Sequence, residues 1–152
     1  MHIVCRERLV MIEKHYGDIT LNSKLHQQLE QTIARYSIPK DTTRIALNCR
    51  NTSYYKTKEG VAPVEIQLKR ENSRSDWNLV FVANFTYQDK STDSLDVYLY
   101  FHLLNHWCYQ PDAGAASLSH PVTTKVFQAW MCAFHEHLTQ HVFDDIQLTQ
   151  VR

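Results

Sequence analysis

The chain has 152 residues, 43% of them hydrophobic and 21% charged, with only three glycines and four prolines. That composition suits one domain with its own core and excludes a disordered, collagenous or low-complexity chain. Sixteen Lys and Arg against sixteen Asp and Glu give a formal net charge of zero, so there is no global basic field to hold nucleic acid or an anionic membrane.

Residues 1–17 read as a charged lead-in of uncertain structure, followed by a single domain over 18–152. The four apolar residues Leu9 to Ile12 are too few for a signal-peptide core, and no run approaches a membrane span of ~20 residues. Asp18 or Thr20 is positioned to cap a first helix. Leu21, Leu25, Leu29, Ile33 and Tyr36 recur at helical spacing up to Pro39.

The period then becomes two. Ile45, Leu47 and Cys49 alternate with polar residues, as do Val64, Ile66 and Leu68. Trp77, Leu79, Phe81, Ala83, Phe85 and Tyr87 would share one face of a long strand, and Val97, Leu99, Phe101 and Leu103 a face of the next. Short connections at 71–76 and 88–94 favour antiparallel neighbours. Asn51–Gly60 is either a hairpin loop or the site of a short strand through Tyr54 and Tyr55, and 105–120 reads as irregular.

Ser119 and Pro121 announce a second helix carrying Val122, Val126, Phe127, Trp130, Met131, Phe134 and Leu138. Asp144 to Thr149 reads as a closing strand. The order helix, four or five antiparallel strands, helix, strand gives an α+β fold: an antiparallel sheet with an N-terminal and a C-terminal helix on one face.

With the helices over Leu47, Ile66, Leu79, Phe81, Leu99 and Phe101, the opposite face would carry Arg50, Asn48, Glu65, Gln67, Val80, Val82, Asn84, Tyr98, Tyr100 and His102. Its apolar centre is an expected partner or subunit contact, with Tyr98, Tyr100, His102, Val80, Val82, Asn84, Arg50 and Glu65 as the binding residues.

Chemistry-bearing motifs are sparse. His137 and His141, four apart and beside His135, could share a helical face and hold a divalent metal, yet His135-Glu136-His137-Leu138-Thr139 fails the HExxH pattern. Histidines solvated near a helix C-terminus are the simpler reading, and no metal or cofactor is expected. His102, His106 and Cys108 form a weaker cluster. There is no GxSxG elbow, P-loop or GxGxxG, and Asp144 and Asp145, adjacent on a strand, would point to opposite faces.

Lys56, Lys58, Lys69, Arg70 and Arg74 make a modest basic group beside Tyr54 and Tyr55, better read as a solvated loop than as a nucleic-acid platform. Cys5, Cys49, Cys108 and Cys132 are scattered without a CxxC pair, so unpaired thiols and a cytoplasmic location are expected. The leading expectation is a non-enzymatic, oligomerising protein-interaction module. The alternative is a small-molecule- or metal-binding enzyme using His102, Glu65 and Arg50, or the His137/His141 pair.

Four stretches carry a resemblance: Ile45 to Arg50 leading into Asn51-Thr52-Ser53-Tyr54, Gly60-Val61-Ala62-Pro63-Val64-Glu65-Ile66, Phe85-Thr86-Tyr87-Gln88, and Phe143-Asp144-Asp145-Ile146-Gln147. Together they resemble the bacterial domain-of-unknown-function family 2787 over about residues 18–149. The chain departs from that pattern at Arg50-Asn51, where the family more often has Arg-Asp, and at the single Gly60, where it has two glycines. The resemblance implies a fold similar to that of the mitochondrial acidic matrix protein family, whose members bind many partners and form ring-shaped trimers. It implies no activity. Because this chain is neutral, charge-driven binding does not transfer.

Overall fold

The computed structural model describes residues 10–152; the part of the lead-in at 1–9 lies outside them. The described part of the lead-in is integral to the domain rather than separate from it. Ile12 is buried, its N–H donates to Glu30 Oε2 at 2.8 Å, and its carbonyl lies 2.7 Å from Nε2 of the buried His26. It also bridges to Trp77 in parallel fashion. A two-strand hairpin follows, β1 (His15–Tyr16) and β2 (Ile19–Thr20), turning at Gly17 with φ +64°.

Helix α1 (Ser23–Ile33) is capped by Asn22, not by Asp18 or Thr20. The Asn22 side-chain oxygen accepts from the N–H groups of Lys24 and Leu25, both at 3.0 Å, which satisfies two donors that no helical carbonyl can reach. The main strands are β3 (Arg44–Arg50), β4 (Val64–Lys69), β5 (Asn78–Tyr87) and β6 (Leu95–His102). Between β3 and β4, the segment left open as loop or strand holds a single helical turn, α2 (Tyr54–Thr57).

The stretch expected to be irregular contains another hairpin, β7 (Trp107–Gln110) and β8 (Gly114–Ser117). Helix α3 (Pro121–Thr139) and the closing β9 (Asp145–Gln150) complete the chain. The sheet therefore has seven antiparallel strands, in the order β8-β7-β6-β5-β4-β3-β9. Its size exceeds the expected five or six, closing strand included, because the β7–β8 hairpin extends one edge.

Both long helices pack on one face, as the sequence pattern predicts. Leu25, Leu29 and Ile33 of α1 and Phe127, Met131, Phe134 and Leu138 of α3 join Ile45, Leu47, Ile66, Leu79 and Phe101 in one apolar core. The Phe101 and Phe127 rings meet with centroids 4.7 Å apart, and Trp130 stacks on Phe134 at 4.9 Å. A row of paired residues, Leu148-Leu47-Ile66-Val82-Phe101-Cys108, crosses the sheet beneath the helices.

Candidate functional site: an aromatic platform on the open sheet face

Strand register decides which side chains turn away from the helices. Between Gln67 and Leu68 of β4 the register with β5 slips: Gln67 pairs with Phe81 but Leu68 pairs with Leu79, leaving Val80 as the extra residue of a bulge. A one-residue insertion exchanges the faces of everything beyond it. Leu79 stays in the core, whereas Phe81 and Ala83 move to the open face.

Three expected binding residues are corrected by this slip. Val82 lies in the helix-covered core. Asn84 shares its face, accepting from Trp130 Nε1 at 3.3 Å and donating to the Pro63 carbonyl at 2.9 Å. Val80 is buried at the bulge, where its carbonyl accepts from the Leu103 N–H. Val80 and Val82 are buried from any partner, and the half-buried Asn84 turns to the helix side.

On the open face two rows lie side by side. One runs Ala46-Gln67-Phe81-His102-Trp107, the other Asn48-Glu65-Ala83-Tyr100-Tyr109. The β3–β4 half is polar: Arg44 Nε donates to Gln67 Oε1 at 3.0 Å, and Gln67 Nε2 donates to Glu65 Oε2 at 2.7 Å. The β5–β7 half is aromatic. Tyr100 sits between Phe81 and Trp107, with centroids 5.1 and 5.2 Å away, and the His102 ring lies nearly parallel to Trp107 at 5.6 Å. Small residues at Ala46 and Ala83 leave room for these rings to spread.

Of the expected residues, Tyr100, His102 and Glu65 belong to this face, and Tyr98 is 49% exposed at a second register shift in β6. Arg50 stands at the far end of β3, 3.6 Å from Asp145, its paired residue on β9. The sequence reading missed Phe81, Trp107 and Tyr109. Trp107 and Tyr109 flank the buried Cys108 in a period-two pattern that was legible, whereas no residue type announces the bulge that turns Phe81 outward.

The electrostatics fit a docking surface. Burial, and then the Arg44 cation, hold His102 below its ordinary range. Its Nδ1 accepts from the Asn105 N–H at 3.1 Å, which places the ring proton of the neutral form on Nε2. Burial likewise pushes the Tyr100 hydroxyl up. Both groups therefore present neutral, polar-tipped rings at pH 7.

The expected enzymatic groupings do not assemble. Among the described residues no hydrogen bond or ion pair joins Arg50, Glu65 and His102. His141 lies beyond the end of α3 with φ +57°, so it does not share a helical face with His137, whose ring edge meets Phe143. No group of three metal-ligating side chains occurs among the described residues. The basic group is split: Lys58 reaches the 90–92 carbonyls and the Tyr87 ring before β4 begins, whereas Lys69, Arg70 and Arg74 lie at the strand's other end and beyond it.

One unexpected cluster contains aspartate, histidine and serine. Asp18 Oδ1 and Ser119 Oγ lie 2.9 and 2.8 Å from the same His106 nitrogen, Nε2. A nucleophilic relay needs the acid and the nucleophile on opposite ring nitrogens. This cluster instead clasps the β1–β2 turn to the segment entering α3, with the His106 ring against Gly17.

A family model described as a protein of unknown function (DUF2787) matches residues 23–149. Among solved structures, one similar fold is a hypothetical protein from the VSP-II pathogenicity island of Vibrio cholerae. Its TM-score is 0.79 at 17% identity, covering 95% of this chain and all of that one. Another is a conserved hypothetical protein from pathogenicity island VPI-2 of the same species, described as sharing structural homology with the human P32 protein. Its TM-score is 0.76 at 21% identity, covering 91% of this chain and all of that one. A search of proteins with curated functions finds no match.

Proposed function

The chain belongs to the DUF2787 family of proteins of unknown function, and we propose that it is a non-enzymatic interaction module that self-associates or binds a protein partner through the open sheet face. The observation that carries this reading is the packed Phe81-Tyr100-His102-Trp107 cluster, with Tyr98 and Tyr109 49% and 37% exposed. Aromatic rings supply large contact area for little lost rotamer freedom, and such residues dominate the centres of protein interfaces. The polar Arg44-Gln67-Glu65 side of the same face gives the patch a hydrogen-bonding rim.

The P32-like fold supports this reading at the level of architecture alone. No helix among the described residues is long and apolar enough to cross a membrane. Cys49, Cys108 and Cys132 are unpaired, which fits a reducing, cytoplasmic compartment.

The test is Tyr98→Glu with Tyr109→Glu, both exposed and therefore tolerable to the fold, examined by light scattering and by pull-down from native cells at moderate salt. The parent is expected to run heavier than 17.9 kDa or to retain a partner, and the variant to lose either property. A variant matching its parent in both mass and partners overturns the proposal.

A further inference from the structure

A second feature lies apart from the aromatic platform. The chain from Val10 and Met11, the exit of α1 at 34–40 and the turn before β5 surround a cleft of about 650 Å³, a size typical of small-molecule sites. Arg70 is held rigidly in its wall. Its guanidinium lies 4.3 Å from the Trp77 ring centroid, Nε donates to the Thr42 carbonyl at 2.9 Å, and Nη2 donates to the Pro39 carbonyl at 3.2 Å.

A guanidinium has five N–H donors in a fixed planar fork. Two are used here, and among the described residues Arg70 has no carboxylate partner. Burial lowers the Arg70 pKa, the sign of a cation stripped of part of its water without a compensating anion. Satisfying two carbonyls explains where the side chain is fixed, and leaves the remaining donors with no protein partner among the described residues.

The surroundings have two characters. Lys40 and Arg74 line the same cleft and make no ion pair among the described residues, against one lining carboxylate, Asp76. Val10, Met11, Ile38 and Trp77 supply an apolar wall. An immobilised, stacked arginine is suited to bidentate recognition of a planar or tetrahedral oxyanion, in a way a mobile lysine is not.

We propose that this cleft binds a small organic oxyanion, a carboxylate or phosphate monoester on an apolar body, with Arg70 gripping the anionic head. Lys40 and Arg74 add attraction at the head, and the wall around Trp77 takes the body.

The test is a titration of isotope-labelled protein with phenyl phosphate and, separately, with benzoate, following the Arg70 Nε–H and Trp77 indole resonances. Saturable shifts with Kd at or below ~1 mM for at least one probe are expected, and the tighter probe identifies the head group. Lys40→Gln with Arg74→Gln should weaken that binding about tenfold, and Arg70→Gln should abolish it. The side chains of Lys40 and Arg74 make no hydrogen bond or ion pair among the described residues, so this variant remains informative if Arg70→Gln unfolds the chain. Unmoved resonances at ~10 mM of both probes, unaltered affinity in the rim variant, or equal binding of inorganic phosphate would each overturn the proposal.

Discussion

His141 shows how much a single residue's backbone can decide. It follows the C-cap Gln140 with φ +57°, its N–H bonds the Leu138 carbonyl at 3.2 Å, and the Val142 N–H bonds the His137 carbonyl at 3.0 Å. These paired bonds form a Schellman ending, whose left-handed position normally belongs to glycine. A β-carbon there costs of order 1 kcal/mol. His141→Gly is therefore expected to stabilise the protein by about 1 kcal/mol, raising Tm by roughly 2–4 °C in a scanning experiment. The i,i+4 spacing of His137 and His141 was real in sequence but presumed a helix that continues. The turn chemistry ended it first.

At the scale of elements, periodicity revealed the helices and strands because burial imposes it on residue type. The α1 stripe, the α3 stripe from Val126 onward, and the β3, β4 and β6 alternations correspond to core faces, except that Val122 at the start of α3 is exposed and Val97 of β6 stays outside the core. The alternation in β5 misled because a bulge adds one residue without changing which types look apolar. Phe81 was therefore read as core, and Val82 and Asn84 as surface. The price of that bulge is a backbone N–H, that of Leu79, which donates to the Tyr16 hydroxyl at 2.9 Å instead of completing a ladder bond. Burial pushes the Tyr16 hydroxyl above its ordinary pKa, so it is neutral at pH 7. Tyr16→Phe strands this buried donor and is expected to cost about 1–3 kcal/mol in urea unfolding. A smaller loss would mean that another acceptor, or water, reaches the amide. The β1–β2 hairpin that carries Tyr16 straddles the expected boundary at 17/18 and was hidden because two-residue strands have no detectable period.

At the scale of the whole molecule, the centre of the seven-stranded sheet is sealed and its edges are not. Cys49 is fully buried on β3, with its thiol pKa pushed up to about 12 by burial. Cys108 is buried on β7, one strand in from the β8 edge, and burial raises its thiol pKa too. Cys132 is exposed on α3. Only a thiolate reacts readily, and only where reagent can reach it. In a Cys5→Ser background, a disulfide reagent at pH 8 should label Cys132 at once, Cys108 slowly, and Cys49 slowest. The rates should separate because the β7–β8 hairpin can open alone, whereas β3 is paired on both sides and covered by helices, so its exposure requires global unfolding. Measured across urea concentrations, the Cys49 rate should follow the full unfolding slope and the Cys108 rate a shallower one. Equal slopes would make the hairpin part of the same cooperative unit, and the aromatic platform it shares through Trp107 and Tyr109 as rigid as the core beneath it.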